Sequence, residues 1–197
     1  KDIMKIWRTV SDKYHVPLYV HYSGIWDNRA LQLHPQWARY NADGRPDQNA
    51  NSLFSSYTDS LLIPQLKELA TVYHINGVWV DGDCWVLTPD YSPEAKRQFT
   101  MATGIKDIPV KKDDPHFFEW MEFHRKAFRD YITKYANAVH TAVPGFKVTS
   151  NWSFSSMMPE PVDVPVDYLS GDVAGTNSLY SSAFESRCLA LQGKPWD

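Results

Sequence analysis

Charge of one sign is what this chain most lacks: 20 lysine and arginine residues stand against 23 aspartate and glutamate, a formal net charge of −3 over 197 residues. Such a balance shows neither the basic footprint of a nucleic-acid binder nor the polybasic patch of a protein held on anionic lipid, so neither partner is expected. Cysteine is scarce as well. Cys84 and Cys188 are the only two, neither in a Cys-x-x-Cys pattern, which excludes a disulfide framework; both are expected to be buried small hydrophobes. Apolar runs are short, such as the triplets Leu61-Leu62-Ile63 and Val78-Trp79-Val80. A bilayer span needs roughly 18 such residues, so a soluble chain with no membrane partner is expected. No glycine-rich phosphate loop follows a predicted strand and no Gly-x-Ser-x-Gly elbow occurs, which argues against a nucleotide site and a serine nucleophile. No signal peptide is visible. Lys1 opens directly into a helical pattern, as at a processing or trimming boundary, and the setting leans towards secreted or periplasmic.

What is present is core-forming material, 43% apolar and 14% aromatic. Ile3, Ile6, Trp7, Val10 and Tyr14 recur at helical spacing and are followed by the β-rich run Leu18 to Ser23, closed by Gly24. A long polar stretch from Ile25 to Ser56 exceeds ordinary connection length, and loops of that size are usually functional. A second helical stripe (Leu62, Leu66, Leu69, Ala70, Tyr73) ends at Asn76-Gly77 and leads into Val78-Trp79-Val80-Asp81. A short helix is expected near Glu94 to Thr103. A long one is expected behind Asp113-Asp114-Pro115, with proline at the first helical position, carrying Phe117, Met121, His124, Phe128, Tyr131, Tyr135 and Val139 on one face until Pro144-Gly145. Strands are expected at Phe146 to Trp152 and Val166 to Asp172, a last helix at Tyr180 to Gln192, and a strand entry at Lys194-Pro195-Trp196.

Four strands and a fifth beginning thus alternate mostly with helices, with no hairpin signal between them, which predicts a parallel sheet. The strands read as continuous apolar runs, as when both faces are covered. An open doubly wound sheet and a (β/α)8 TIM barrel both fit that alternation. A barrel needs about 250 residues, so the expected fold is a partial (β/α)8 barrel in which residues 1–197 supply about strands 3 to 7.

In either architecture the ligand lies at the carboxyl ends of the strands. Those ends read His21-Tyr22-Ser23-Gly24-Ile25-Trp26-Asp27, Asp81-Gly82-Asp83-Cys84-Trp85, Ser150-Asn151-Trp152 and Ser170-Gly171-Asp172. Carboxylates beside tryptophans suit a carbohydrate: sugar rings present apolar faces to indoles and hydroxyls to acceptors, and glycosidic cleavage uses two carboxyl groups flanking the scissile bond. Asp81 is the sharpest candidate, because a carboxylate directly after Val-Trp-Val must be desolvated unless it faces a polar pocket, and there it can act as nucleophile. His124 lies on the apolar stripe of the long helix and reads as a satisfied core residue.

The runs Tyr19-Val20-His21-Tyr22-Ser23-Gly24-Ile25-Trp26, Gln65-Leu66-Lys67-Glu68-Leu69 and Val78-Trp79-Val80-Asp81-Gly82-Asp83-Cys84-Trp85 resemble the third and fourth strand region of the α-L-fucosidase-like glycoside hydrolases. Phe184-Glu185-Ser186-Arg187 and Gly193-Lys194-Pro195-Trp196-Asp197 resemble a broader group of hypothetical bacterial glycosyl hydrolases related to the α-amylase and β-galactosidase barrels. The likeness covers residues 17 to 85 well and the remainder loosely. It implies that Asp81 is the nucleophile on a fourth barrel strand, and that the first two strands and the last one or two are absent from this chain. The family's paired histidines on an early strand and its acid/base segment have no match here.

The sequence therefore predicts a retaining glycosidase in which Asp81 attacks the anomeric carbon. Asp172 is the first candidate for acid/base, with Glu185 and Glu160 behind it, although Glu185 falls on a predicted helix face and Glu160 in a loop between prolines. His21, Tyr22, Trp26, Asp83, Trp85, Asn151 and Trp152 are expected to position the sugar, with no cofactor and no metal. Two alternatives stay open: a metal-dependent hydrolase or deacetylase built on His21, Asp81 and Asp83, and an inactive barrel that binds carbohydrate. The sugar and the oligomeric state are not specified.

Overall fold

The computed structural model describes residues 1–81, 88–152, 158, 160–171 and 179–197. Three parallel strands form the centre: β1 (Tyr19–Tyr22), β4 (Gly77–Val80) and β5 (Lys147–Ser150), in the order β1-β4-β5. Tyr19, Gly77 and Lys147 lie in register, as do His21, Trp79 and Thr149. Parallel bridges continue the series, Asn151 to Ser170 and Leu169 to Trp196. Spatial order thus follows chain order without the reversal that marks a doubly wound sheet. Of the strand expected from Val166 to Asp172, the described residues 166–171 form only those bridges, and among the described residues the sheet does not close into a barrel.

Alternation along the strands sorts their side chains onto two faces. Val78, Val80 and Val148 are fully buried against helices α3 (Ile63–Thr71) and α5 (Phe117–Ala142), which contribute Leu66, Ala70, Phe128, Ile132, Tyr135 and Val139. Burying one such side chain is worth about 1.5–3 kcal/mol, so this layer supplies most of the cohesion. A wide π turn, Thr58–Leu62, leads into α3, where Pro64 in the first turn cannot donate a helical hydrogen bond. Gly77 opens β4 under a tight constraint. A Cβ there would meet the Lys147 carbonyl oxygen at 2.5 Å and the Tyr19 ring at 2.6 Å, so close approach requires glycine at this position.

The chain also forms helices α1 (Ile3–Tyr14), α4 (Pro93–Thr103), which is capped by Ser92, and α6 (Leu179–Ala190). The α1 stripe faces outward: Ile3, Ile6, Trp7, Val10 and Tyr14 are 44–64% exposed, while Arg8 on the inward side bonds the His74 carbonyl and Asn76. Long helix α5 starts at Phe117 rather than at Pro115. The Asp114 carboxylate is occupied by the amides of Val110 and Lys111, each at 2.8 Å, and His116 takes a left-handed conformation (φ 65°). Cys188 is only half-buried, against the expectation of a buried thiol, and Cys84 lies outside the described residues.

The polar stretch after β1 is not a loop. It holds helix α2 (Asn28–Leu33), a 3-10 turn (Pro35–Trp37) and an antiparallel hairpin of β2 (Ala38–Tyr40) and β3 (Pro46–Asn51). The absence of a hairpin signal misled here because the turn is built from Asn41 and the left-handed Gly44 (φ 79°), and the strands carry almost no β-branched residues. Asn51 pins this unit to the tip of β1, its main-chain and side-chain N–H groups both donating to the Ile25 carbonyl at 2.9 Å.

Candidate active site

Asp81 follows the last residue of the central strand, so its neighbours are the ends of β1 and β5. Its amide donates to the Tyr22 carbonyl (2.7 Å), and the Asn151 amide donates back to Val80 (2.8 Å), which extends both ladders past the strands. The side chain is held from both sides. Asn151 Nδ2 donates to Oδ1 at 2.7 Å, and His21 Nε2 lies 3.0 Å from Oδ2. With its proton on Nε2, His21 donates to a carboxylate that accepts on both oxygens. Asn151 is fully buried, whereas the His21 side chain is 59% exposed and that of Asp81 33%. Asp81 is thus fixed in direction by a buried amide yet open to solvent. It lies on the face of the sheet opposite Val78, Val80 and Val148, where His21 also lies against the Trp79 ring (centroids 5.0 Å apart).

The same face continues into a cleft of about 600 Å3 lined by Tyr19, Trp79, Tyr168, Ser170 and Trp196. Tyr19 and Trp196 are substantially exposed, so aromatic surface faces this space.

The other candidates divide. Tyr22 points to the helix side, its hydroxyl donating to Gln65 Oε1; burial and the charge of Asp27 push that hydroxyl well above the usual tyrosine range. It does not join Asp81. Trp26 is half-buried beneath the Arg39 guanidinium, 5.8 Å from the ring centre. Trp152, expected to stack on sugar, is 4% exposed and packs against Phe128, so its indole belongs to the core. Glu160 pairs with Arg129 of α5 at 3.0 Å, and Glu185 lies half-buried on α6. Asp83, Trp85 and Asp172 fall outside the described residues. His21 and Asp81 are therefore together, but among the described residues no three histidine, cysteine or carboxylate side chains cluster as metal ligands would.

A buried knot that sequence reasoning did not find anchors the chain where it returns after Asp81. The Asp90 carboxylate accepts from Ser52 Oγ, from Ser92 (N at 2.8 Å, Oγ at 3.1 Å) and from the Tyr40 amide at 3.0 Å. The Asp90 amide donates to His124 Nε2 at 2.9 Å, and His124 Nδ1 donates to the Trp120 carbonyl at 2.8 Å. Both ring nitrogens are therefore committed to one neutral tautomer, and burial holds the imidazole below its ordinary range. His124 is the satisfied core residue the helical stripe implied. Its signal was the stripe; the Asp90 partner carried none.

No family model matches the chain, and no curated protein matches it in sequence. Solved structures do. α-L-Fucosidase isoenzyme 2 from Paenibacillus thiaminolyticus superposes with a TM-score of 0.64 at 19% identity, covering 86% of this chain and 25% of that one. The fold resembles that of glycoside hydrolase domains. A cold-adapted β-galactosidase from Rahnella sp. R3 matches with a TM-score of 0.62 at 13% identity over 93% of this chain and 33% of its own. The glycoside hydrolase domain of a PelA E218A variant from Pseudomonas aeruginosa matches with a TM-score of 0.54 at 14% identity over 98% and 70%. The chain spans about a quarter of the fucosidase and a third of the galactosidase. At these identities the likeness is one of fold.

Proposed function

We propose that the chain carries the nucleophile end of a retaining glycosidase, with Asp81 attacking the anomeric carbon of a sugar. The observation that supports this most is the seat of Asp81: a solvent-accessible carboxylate at the carboxyl end of the central parallel strand, held by His21 and Asn151 from the strands on either side. A nucleophile gains from being aimed before the substrate arrives, and the buried Asn151 amide aims it. The second carboxylic acid protonates the leaving oxygen, and Asp172 is the first choice for that role. Glu160 is less apt because its Oε2 is occupied by Arg129. His21 and Trp26 contact the sugar beside Asp81, with Asp83 and Trp85 on the segment that follows.

The fold neighbours support carbohydrate as the ligand class, since those proteins are named as a fucosidase, a galactosidase and a glycoside hydrolase domain. Sugar binding without cleavage is the second reading, favoured by the aromatic surface of Tyr19 and Trp196 beside the Ser170 hydroxyl. We also infer that further β/α units pack on the outward apolar stripes of α1 (Ile3, Ile6, Trp7, Val10) and α6 (Tyr180, Phe184), because exposed apolar faces of that kind are covered in stable domains.

Replacing Asp81 by asparagine and assaying a panel of aryl glycosides tests the reading. A fall in kcat/KM on the order of a thousandfold or more on a responsive substrate is expected. Unchanged turnover removes Asp81 as nucleophile. Binding of sugars with no turnover of any glycoside by the unaltered protein selects the binding reading.

A further inference from the structure

A second cleft lies on the same end of the sheet as Asp81, between α2 and the β2–β3 hairpin, with a volume of about 460 Å3. That falls within the roughly 300–1,000 Å3 of small-ligand sites. Its position is fixed by short connections. Asp27 caps α2 only five residues past the end of β1, its carboxylate accepting from the Ala30 amide at 2.8 Å, and Asn51 at the end of β3 holds the Ile25 carbonyl.

The walls are amides. Asn28 and Gln32 lie one helical turn apart on α2, and Gln48 and Asn49 come from β3, with Leu31 and Tyr40 among the apolar residues of the lining. The side-chain amides of Asn28, Gln48 and Asn49 have no hydrogen-bond partner among the described residues, and all three residues are exposed. Each amide carries one acceptor and two donors. The one charge in the lining, Asp47, is neutralised: its Oδ2 binds Arg39 Nη2 at 2.5 Å and its Oδ1 takes the Asn49 and Ala50 amides at 2.9 and 3.2 Å. Burial opposes ionisation of that carboxyl, but the amides and Arg39 outweigh it and hold it below the usual carboxylate range.

A cleft with free amides, an apolar surface and no uncompensated charge selects a neutral ligand that both donates and accepts hydrogen bonds along its edge and is apolar on its face. Sugar rings have that character. We propose that this cleft is an accessory subsite for a neutral oligosaccharide, gripping sugar units remote from the one that reacts at Asp81. The choice of sugar rests on the glycosidase reading; the site itself rests on the amides.

The test is an NMR titration of the 15N-labelled full chain with neutral hexasaccharides (cello-, malto-, xylo- and galacto-hexaose) up to about 10 mM, a range that detects affinities down to the millimolar class. The side-chain NH2 signals of Asn28, Gln48 and Asn49 are expected to shift with at least one of them. In the Gln48→Ala/Asn49→Ala double variant, which alters only exposed side chains, Kd is expected to rise about tenfold. No shift with any neutral hexaose overturns the proposal, as does a shift given only by an anionic oligogalacturonate, or an affinity that the double variant leaves intact. Asp81→Asn separates the two claims. If that variant keeps its turnover while the cleft still binds, the nucleophile reading fails alone; if turnover is lost and the amide signals never move, the subsite fails alone.

Discussion

At the amino-terminal end of the parallel sheet, Asn76 Oδ1 accepts from the Leu18 amide (2.7 Å) and from Arg8 (3.0 Å), and its carbonyl accepts from Lys147 N at 2.9 Å. Beside it, Asp167 binds His140, Lys147 and the Val148 amide, all within 2.8–2.9 Å. At the carboxyl-terminal end, Asp81 has the same number of strands around it, but one partner is an exposed histidine and the carboxylate opens to solvent. The first end spends its polar groups on joining α1, β1, β4, β5 and the segment before Leu169. At the second, the Asp81 carboxylate is held by His21 and Asn151 and remains accessible to solvent. Stability at the amino ends of the strands and chemistry at the carboxyl ends is the general division of labour in parallel β/α architectures, and variants can test it here one end at a time.

The largest expected effect is at the open end. Asp81→Asn, as above, is expected to cost roughly 4 kcal/mol or more of transition-state stabilisation, while urea unfolding shifts by less than about 1 kcal/mol because an amide can keep one of the two contacts. The closed end reverses the pattern. Gly77→Ala drives a methyl into the Lys147 carbonyl and the Tyr19 ring, and a loss of about 1–3 kcal/mol in unfolding free energy is expected, with kcat per folded molecule retained. A Gly77→Ala protein as stable as the parent contradicts the packing account.

A smaller effect belongs to Asp167. Partial burial pushes its carboxyl up, but the Val148 amide, Lys147 and His140 outweigh burial and hold it below its ordinary value of 3.8. A carboxyl lowered in the folded state adds stability at every pH above its unfolded value and loses it as pH falls through the native one. Asp167→Asn is therefore expected to destabilise by about 1 kcal/mol near neutrality and to flatten the acid limb of the stability curve below pH of about 4. Denaturant midpoints at a series of pH values check this, and parallel acid limbs in variant and parent contradict it.

The parts of this arrangement that could be read from the chain were those where one physical pattern dominates. The runs at Val78-Trp79-Val80 and Phe146 to Ser150 became β4 and β5, whose Val78, Val80 and Val148 lie on the helix-covered face, and the 3.6-residue stripe from Phe128 to Val139 became the buried side of α5. Asp81 stood out because it ends such a run, and its pairing with His21 and Asn151 follows from parallel register. A strand tip shows which residues are near the end but not on which face each one lies, and Tyr22 and Trp152 turn to the helix side, against Gln65 and Phe128. The hairpin was hidden because Ala38-Arg39-Tyr40 and Pro46 to Asn51 draw their order from an asparagine-glycine turn, from Asp47 and from Asn51 rather than from hydrophobic alternation. The Asp90 to His124 knot spans 34 residues and joins a loop to a helix, a contact no local pattern encodes. On α1 the stripe correctly marked a helix, yet it faces outward, since periodicity identifies an apolar side without saying what covers it.

The central claim is that Asp81 forms a bond to the sugar during turnover. Incubating the protein with 2-deoxy-2-fluoro glycosides, which slow the breakdown of a glycosyl-enzyme ester, and mapping the adduct by peptide mass spectrometry tests it directly. A single glycosyl adduct on Asp81, absent from Asp81→Asn, is the predicted result. An adduct on a different carboxylate, or hydrolytic activity that leaves no adduct on Asp81, contradicts it.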